Sequence, residues 1–443
     1  MFGVAVFLLF SLGARQAPIT GDVWSAELGA WRLATTGTPW LDGVSPAQLP
    51  GHWYQADDIG SGALWTAINP DNGHRVVARS PGVVLAAVPA YAVAGWFGDG
   101  ADGRLSDVPG SLTAALLAAA AATLLLAVAL RLAPPGAAVA GTAVLAVATP
   151  VWSVAGNDLW PHTVGILGIA GAAWAAGRER WWLVGVLGGV ALTGRLHLAV
   201  VVAAVGLGVA LARRRPSIAL QVAAGSLPFV ALCSLWGRWL YGSWSPTTGY
   251  ATSTLGAWPA SRTWPERAAD LLGTLVSPGV GVLVWTPCLL VLLPHLPRAW
   301  RAAPDWVRAL AVGGVGYLLV QVYLNPFHGG SGFWGYRLPL ETLVACFPLL
   351  LLAAVRLGRR ARTLALALAG AQAGVLLIGV VFGLASSNTD ATPWTHSVLA
   401  ETFRENPAAF VLVVLLGAAG AVLAGHRLGP RAPVPAIESR DRA

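Results

Sequence analysis

Only 11% of the 443 residues are charged, so the places where ionisable groups do stand are informative. Asp22 follows closely on an apolar run at residues 2 to 13. A carboxylate there could take the proton of an attacking hydroxyl as a new bond forms, which is general-base chemistry. The competing reading is structural: Thr20 or Asp22 would open a helix over 23–35, the acid serving the helix dipole. Asp158 stands in a short turn between two apolar runs. It could hold a substrate or, with Asp22, a divalent cation such as Mg or Mn, because paired carboxylates suit hard cations. Alternatively it caps a helix beginning at Leu159. His162, one turn further, could assist Asp158 or be structural.

The segment around Asp22 also carries Glu27, Asp42, Asp57, Asp58 and Asp71 amid Trp24, Trp31, Trp40, Trp53, Tyr54 and Trp65. Aromatic faces beside carboxylates suit a carbohydrate site, with stacking on C–H surfaces and hydrogen bonds to hydroxyls. Glu27 is then a substrate-binding candidate; an interfacial aromatic belt with solvated acids is the plainer alternative. Among the cations, Arg195 interrupts an apolar run, where it would either grip a phosphate with two parallel hydrogen bonds or snorkel to headgroups. Arg337 follows Gly329, Gly330, Gly332 and Gly335 and precedes Glu341 by four positions. Such glycines permit a close backbone cradle for a phosphate that Arg337 would neutralise, with His328 as a further contact. An Arg337 to Glu341 pair on one helix face is the structural reading. No stretch fits the Walker or Rossmann patterns.

The elements that must position these groups are membrane spans. Hydrophobic residues make up 56% of the chain and mean hydropathy is +0.65, more apolar surface than a soluble fold of this size needs. Apolar runs recur at 111–130, 133–154, 159–177, 181–212, 218–240, 269–294, 305–325, 337–355, 363–385 and 407–425. They are Leu, Ala, Val and Gly rich without strand-like alternation, which favours helices over a barrel. Cys233, Cys288 and Cys346 lie in or beside these runs and read as small core residues.

All 28 basic residues are arginine, and the net charge of +8 forms no single basic face, so nucleic acid is not an expected partner. The connections at 131, 178–180, 213–215, 298–308 and 356–362, with the tail after 425, hold 17 arginines against four acids; the remainder holds 11 against 16. By the positive-inside rule the first set is cytoplasmic. The alternation works if 181–212 is two short helices broken near Gly194 and Arg195. It also requires that 81–97, with Pro81 and Pro89, be a broken interfacial helix making no net crossing. The expectation is an all-α polytopic membrane protein with about 12 spans, within a range of roughly 11 to 13. Its first helix lacks the basic flank of a signal peptide. The loop 15–80 is then extracytoplasmic, and the arginine-rich tail 426–443 is cytoplasmic and disordered.

Several motifs, in order, resemble the GT-C superfamily of membrane glycosyltransferases that use polyprenyl-phosphate sugars. TGDVWSAE at 20–27 with AWRLATTGTPW at 30–40 is similar to their opening "GD…Y…A…G.P" element. SPGVVLAAVP at 80–89 resembles a "PPG…P" element, ATPVW at 148–152 with DLWPH at 158–162 the segment of a second outer acid, and LTGR at 192–195 an "LTR" break. LVSPGVGVL at 275–283 and HGGSGFWGYR at 328–337 look like the "FSPGRGLL" and "GG…GYR" elements of a bacterial branch, with Val280 where that branch often has Arg. The resemblance covers residues 1 to about 345.

It implies an inverting transferase with Asp22 as general base, a conserved module over 1–240 with interfacial helices in the first outer loop, and a variable helical part over 241–425. Donor and acceptor would be a polyprenyl-phosphate hexose or pentose and an extracytoplasmic glycan, lipid or protein, met at the plasma membrane. Glu27, Asp158, His162, Arg195, His328, Arg337 and Glu341 would bind substrate. A transporter or flippase of lipid-linked sugars is the rival class, kept open by the interruption at Ser277, Pro278 and Gly279. A scaffold without chemistry is the third. A transporter needs polar groups along a midplane path, whereas most acids here fall in outer loops, which favours the enzyme.

Overall fold

Long Ala- and Leu-rich segments leave the backbone no partner in lipid except itself, so the chain is built almost wholly of helices. The computed structural model describes residues 1–13, 20–50, 64–98, 103–247, 261–385 and 392–428. Trp53, Tyr54, Asp57, Asp58 and the tail from 429 lie outside them, as do parts of the loops at 241–268 and 386–406.

Helix α1 (Phe2–Ser11) is followed by α2 (Gly21–Thr36), an antiparallel hairpin of β1 (Thr66–Ile68) and β2 (Arg75–Val77), and α3 (Pro81–Trp96). Then come α4 (Val108–Leu132), α5 (Pro135–Val147), α6 (Pro161–Ala176), α7 (Trp181–Gly194), α8 (Ala199–Arg213) and α9 (Pro216–Tyr241). The second part holds α10 (Trp264–Val276), short helical turns over 282–302, α11 (Asp305–Leu324), α12 (Leu340–Ala354), α13 (Arg359–Phe382), α14 (Val398–Glu405) and α15 (Pro407–Leu428). Six helices among the described residues are long and apolar enough to cross a bilayer, and shorter apolar helices at α1, α3, α5, α7 and α12 accompany them.

Small residues set the close crossings, as expected where lipid supplies no hydrophobic drive between helices. Gly185 on α7 meets the backbone of Val222 and Gly225 on α9, and Gly370 on α13 meets Gly417 on α15; neither glycine has room for a Cβ.

The break between α7 and α8 falls at Arg195, where it was expected. The break expected at Pro89 is absent: α3 runs unbroken through it. Proline removes one backbone hydrogen bond, and an apolar helix packed on α2, α4 and α7 tolerates that loss. The small hairpin was not anticipated; its strands are only three residues each. Val23 to Trp31 of α2 are all buried.

Candidate active site

Thr20 caps α2, its hydroxyl accepting from the Asp22 amide at 3.4 Å, and Gly37 closes the helix in the left-handed conformation. Asp22 therefore sits in the first helical turn with its carboxylate free of capping duty. Each of its oxygens meets a different arginine. Oδ1 accepts from Arg79 Nη2 at 2.5 Å, and Oδ2 accepts from Arg337 Nη1.

Arg79 follows the hairpin, and helix α9 pins its backbone. The carbonyl of Arg79 accepts from Trp236 Nε1 at 2.8 Å, and the Tyr241 hydroxyl donates to Val77 O at 2.8 Å. Its guanidinium lies over Trp65, and its Nε donates to the backbone carbonyl of Asp22 at 3.0 Å. Arg337 arrives from the glycine-rich loop before α12. Phe333, Trp334 and Tyr336 are buried and anchor that loop, with Trp334 O accepting from Ser153 Oγ at 2.6 Å and Tyr336 bonded to Thr286 Oγ1 at 2.7 Å. Gly335, at φ 116°, lies so near Pro150 that a Cβ would come within 2.6 Å of its ring. The Arg337 guanidinium stacks over Trp160 at 4.8 Å and Phe333 at 5.7 Å.

Burial works against the charged form of Asp22, yet Arg79 and Arg337 outweigh it and hold the carboxyl well below the usual carboxylate range. A carboxylate so clasped is ionised but weakly basic.

A second polar group lies deeper. Arg195, buried at the α7–α8 break, donates from Nη1 to His162 Nε2 at 2.6 Å and from Nη2 to Gln321 Oε1 at 3.1 Å. An arginine can only donate, so His162 carries its proton on Nδ1 and gives it to Glu341 Oε1 at 2.9 Å. Gln321 continues the chain to Tyr317 at 2.6 Å and to His197. Arg195 is thus fixed in a protein network and does not snorkel. The Arg337 to Glu341 pair is also absent, because each residue has another partner: Asp22 for the first, His162 for the second.

Asp158 does not cap a helix. Helix α6 begins at Pro161 after Trp160, and Asp158 is buried with its carboxylate toward Asn157 Nδ2 at 3.4 Å. Glu27 is buried with Asp107 and Asp158 near it, and Gly110 packs directly on its carboxyl. Burial first, then the charges of Asp107 and Asp158, push the Glu27 pKa well up; burial likewise raises that of Asp158. His328 Nδ1 accepts from the Gly330 amide at 2.9 Å and shapes the loop that carries Arg337.

These donors do not fit a divalent cation shared by Asp22 and Asp158. Both oxygens of Asp22 face guanidinium groups, which repel a cation, and Asp158 belongs to the Glu27 cluster, where burial favours its neutral form. Among the described residues no group of three or more His, Cys, Asp or Glu side chains converges as a metal site.

An apolar pocket lies one hydrogen bond removed from the site. It follows α5 from Pro134 to Thr149 and is walled by Leu289, Leu343, Phe347 and Leu366. Thr286, on its wall, is the residue bonded to Tyr336, next to Arg337.

Sequence reasoning found Asp22, Arg195 and Arg337 but passed over Arg79, Tyr317, His197 and Gln321. The one available signal for Arg79 was its place immediately before the Ser-Pro-Gly element.

The fold is that of a polytopic membrane protein. No family model matches the chain, and neither does any curated protein. Among solved structures it is similar to ArnT from Cupriavidus metallidurans bound to undecaprenyl phosphate, at 16% identity over 96% of this chain and 76% of that one, with a TM-score of 0.51. The apo state of the same ArnT matches at 17% identity and equal coverage, with a TM-score of 0.49. The archaeal oligosaccharyltransferase AglB from Archaeoglobus fulgidus, in complex with an inhibitory peptide and a dolichol-phosphate, matches at 12% identity over 96% of this chain and 56% of that one, with a TM-score of 0.43. The first of these establishes the likeness of fold, which the sequence motifs had indicated.

Proposed function

We propose that this protein is an inverting glycosyltransferase that moves a hexosyl or pentosyl unit from a polyprenyl-phosphate carrier to a glycan, lipid or protein acceptor at the extracytoplasmic face of the plasma membrane. The observation that carries the reading is the carboxylate of Asp22, ionised at the start of a loop helix and flanked by two arginines of different origin. Asp22 takes the proton of the acceptor hydroxyl as its oxygen attacks the anomeric carbon. Polyprenyl phosphate leaves, and Arg337, with Arg195 behind it, balances the charge that develops on the phosphate. That leaving group is already good, so charge stabilisation matters more than acid assistance. The fold shared with ArnT bound to undecaprenyl phosphate supports a lipid-linked donor, and the apolar pocket beside Tyr336 supports a place for its chain.

The test is to offer the purified protein a panel of polyprenyl-phosphate sugars and follow release of polyprenyl phosphate. Asp22→Asn keeps the shape but cannot accept the proton, so turnover should fall on the order of 10²-fold or more. Near-wild-type turnover by the Asn variant would reassign the base.

A further inference from the structure

We propose that Arg337 is shared between Asp22 and the lipid carrier's phosphate, holding the aspartate in the resting site and leaving it when the phosphate binds. This rests on the transferase reading above.

The two arginines on Asp22 are not equivalent. Arg79 is locked: besides Oδ1 of Asp22 it donates to the backbone carbonyls of Asp22 at 3.0 Å, Gly21 at 3.3 Å and Ala78 at 3.3 Å, and its side chain is 2% exposed. The Arg337 guanidinium has a single hydrogen-bond partner among the described residues, Asp22, and its buried Nε has none. A guanidinium offers five N–H donors. Leaving such donors buried and unmade is costly, and a phosphate can accept two of them in parallel where one carboxylate oxygen accepts one. The surroundings permit a swing. The guanidinium rests on the faces of Trp160 and Phe333, which do not tie it down by hydrogen bonds. Gly329, with φ at 71°, lies alongside, where a Cβ would stand 3.1 Å from Cγ and Nε of Arg337.

The exchange also follows the charge of the reaction. The acceptor's proton passes to Asp22 as the acceptor oxygen bonds to the anomeric carbon. The bond from that carbon to the phosphate oxygen breaks, and its electron pair stays on the phosphate. One negative charge is lost at Asp22 and one gained at the phosphate. Having moved on binding, Arg337 stands on the group that becomes a dianion and not on the one that is neutralised, while Arg79 keeps Asp22 in place. Release by Arg337 also relieves one of the two cations that make Asp22 a weak base, so the base is strengthened only when a carrier is bound.

If the resting pair must open first, it lowers the apparent affinity for phosphate by the fraction of time it is open. Asp22→Asn, which kills transfer, should therefore tighten binding of a phosphate probe. With farnesyl phosphate as that probe, measured on folded protein in nanodiscs, the gain should be roughly tenfold over wild type. In an Arg337→Gln background the same Asp22→Asn change should bring little or no gain, since the coupling runs through Arg337. Should Arg337→Gln fail to fold, Arg337→Lys serves, with a gain well below tenfold. An unchanged affinity in Asp22→Asn overturns the exchange. So does an equal gain in both backgrounds, which would mean plain repulsion between Asp22 and the phosphate. Either result, with transfer abolished, leaves the transferase reading standing. Retained transfer in Asp22→Asn reassigns the base, whereas no transfer by the wild type from any polyprenyl-phosphate sugar removes the transferase reading itself.

Discussion

Arg79 grips Asp22 through side chain and main chain at once, Nη2 meeting Oδ1 at 2.5 Å and Nε meeting the backbone carbonyl at 3.0 Å. One guanidinium thereby fixes both the carboxylate and the start of α2. Arg79→Lys retains the charge, but an ammonium cannot reach these acceptors together. Transfer should fall by about one to two orders of magnitude, a loss of oriented base of the kind general-base catalysis supplies. Arg79→Ala leaves Asp22 only Arg337 as a charge partner and removes the hydrogen bonds to the carbonyls of Gly21, Asp22 and Ala78, so stability should fall by about 1 to 3 kcal/mol. Turnover and thermal unfolding in detergent check both, and full activity in the Lys variant would mean that charge alone suffices.

The helical order was legible because bilayer thickness sets the length of each apolar run, and the break at Arg195 because a charge so placed in such a run needs a reason. The pairing of the site was not legible. Asp22 and Arg337 meet across 315 positions of sequence, beyond any local rule. The four-residue spacing of Arg337 and Glu341 suggested a helical pair, but α12 begins at Leu340, so Arg337 stands outside the helix and the spacing rule does not apply to it. Arg79 was overlooked for a related reason: besides the distant carboxylate of Asp22, its partners are backbone carbonyls of Gly21, Asp22 and Ala78, which carry no mark in a sequence.

Topology gives a prediction independent of the chemistry. The partition of 17 arginines and four acids against 11 and 16 predicts residue 47 outside and residue 427 inside. Single cysteines at Ala47 and Arg427, both exposed, in a background lacking Cys233, Cys288 and Cys346, should differ in intact cells. An impermeant thiol reagent should label the first and not the second; the opposite pattern would invert the protein in the membrane.

Glu27 predicts a pH dependence. Burial, then Asp107 and Asp158, raise its pKa well above the ordinary 4.5, so the folded state holds a proton that the unfolded chain releases above about that pH. The stabilising contribution of that proton is fully present below pH 4.5 and is lost as pH rises through the folded value. Glu27→Gln is permanently neutral. Its unfolding temperature should therefore exceed that of wild type increasingly as pH rises from 5 to 8 and converge with it at low pH. A constant difference across that range would place the pH sensitivity elsewhere.

The apolar pocket along α5 predicts a dependence on carrier chain length. Filling it with Ala137→Trp or Leu289→Trp should obstruct a long polyprenyl chain but not a short one. The effect should be moderate, because a displaced chain moves into lipid tails that are about as apolar as the pocket wall. The roughly 0.8 kcal/mol per methylene that water would charge does not apply in full. A rise in KM of about tenfold for a long-chain donor, with kcat little changed, is the expected size, equivalent to about 1.4 kcal/mol. The farnesyl donor should keep its KM within about twofold. Overpacking can itself cost about 1 to 3 kcal/mol of stability, so Leu290→Trp, on the neighbouring exposed face, controls for bulk on the same segment. KM values that rise together for long and short donors would mean that the substitutions act on the phosphate site through Thr286 and Tyr336. Unchanged values for both would remove the pocket from the carrier's path.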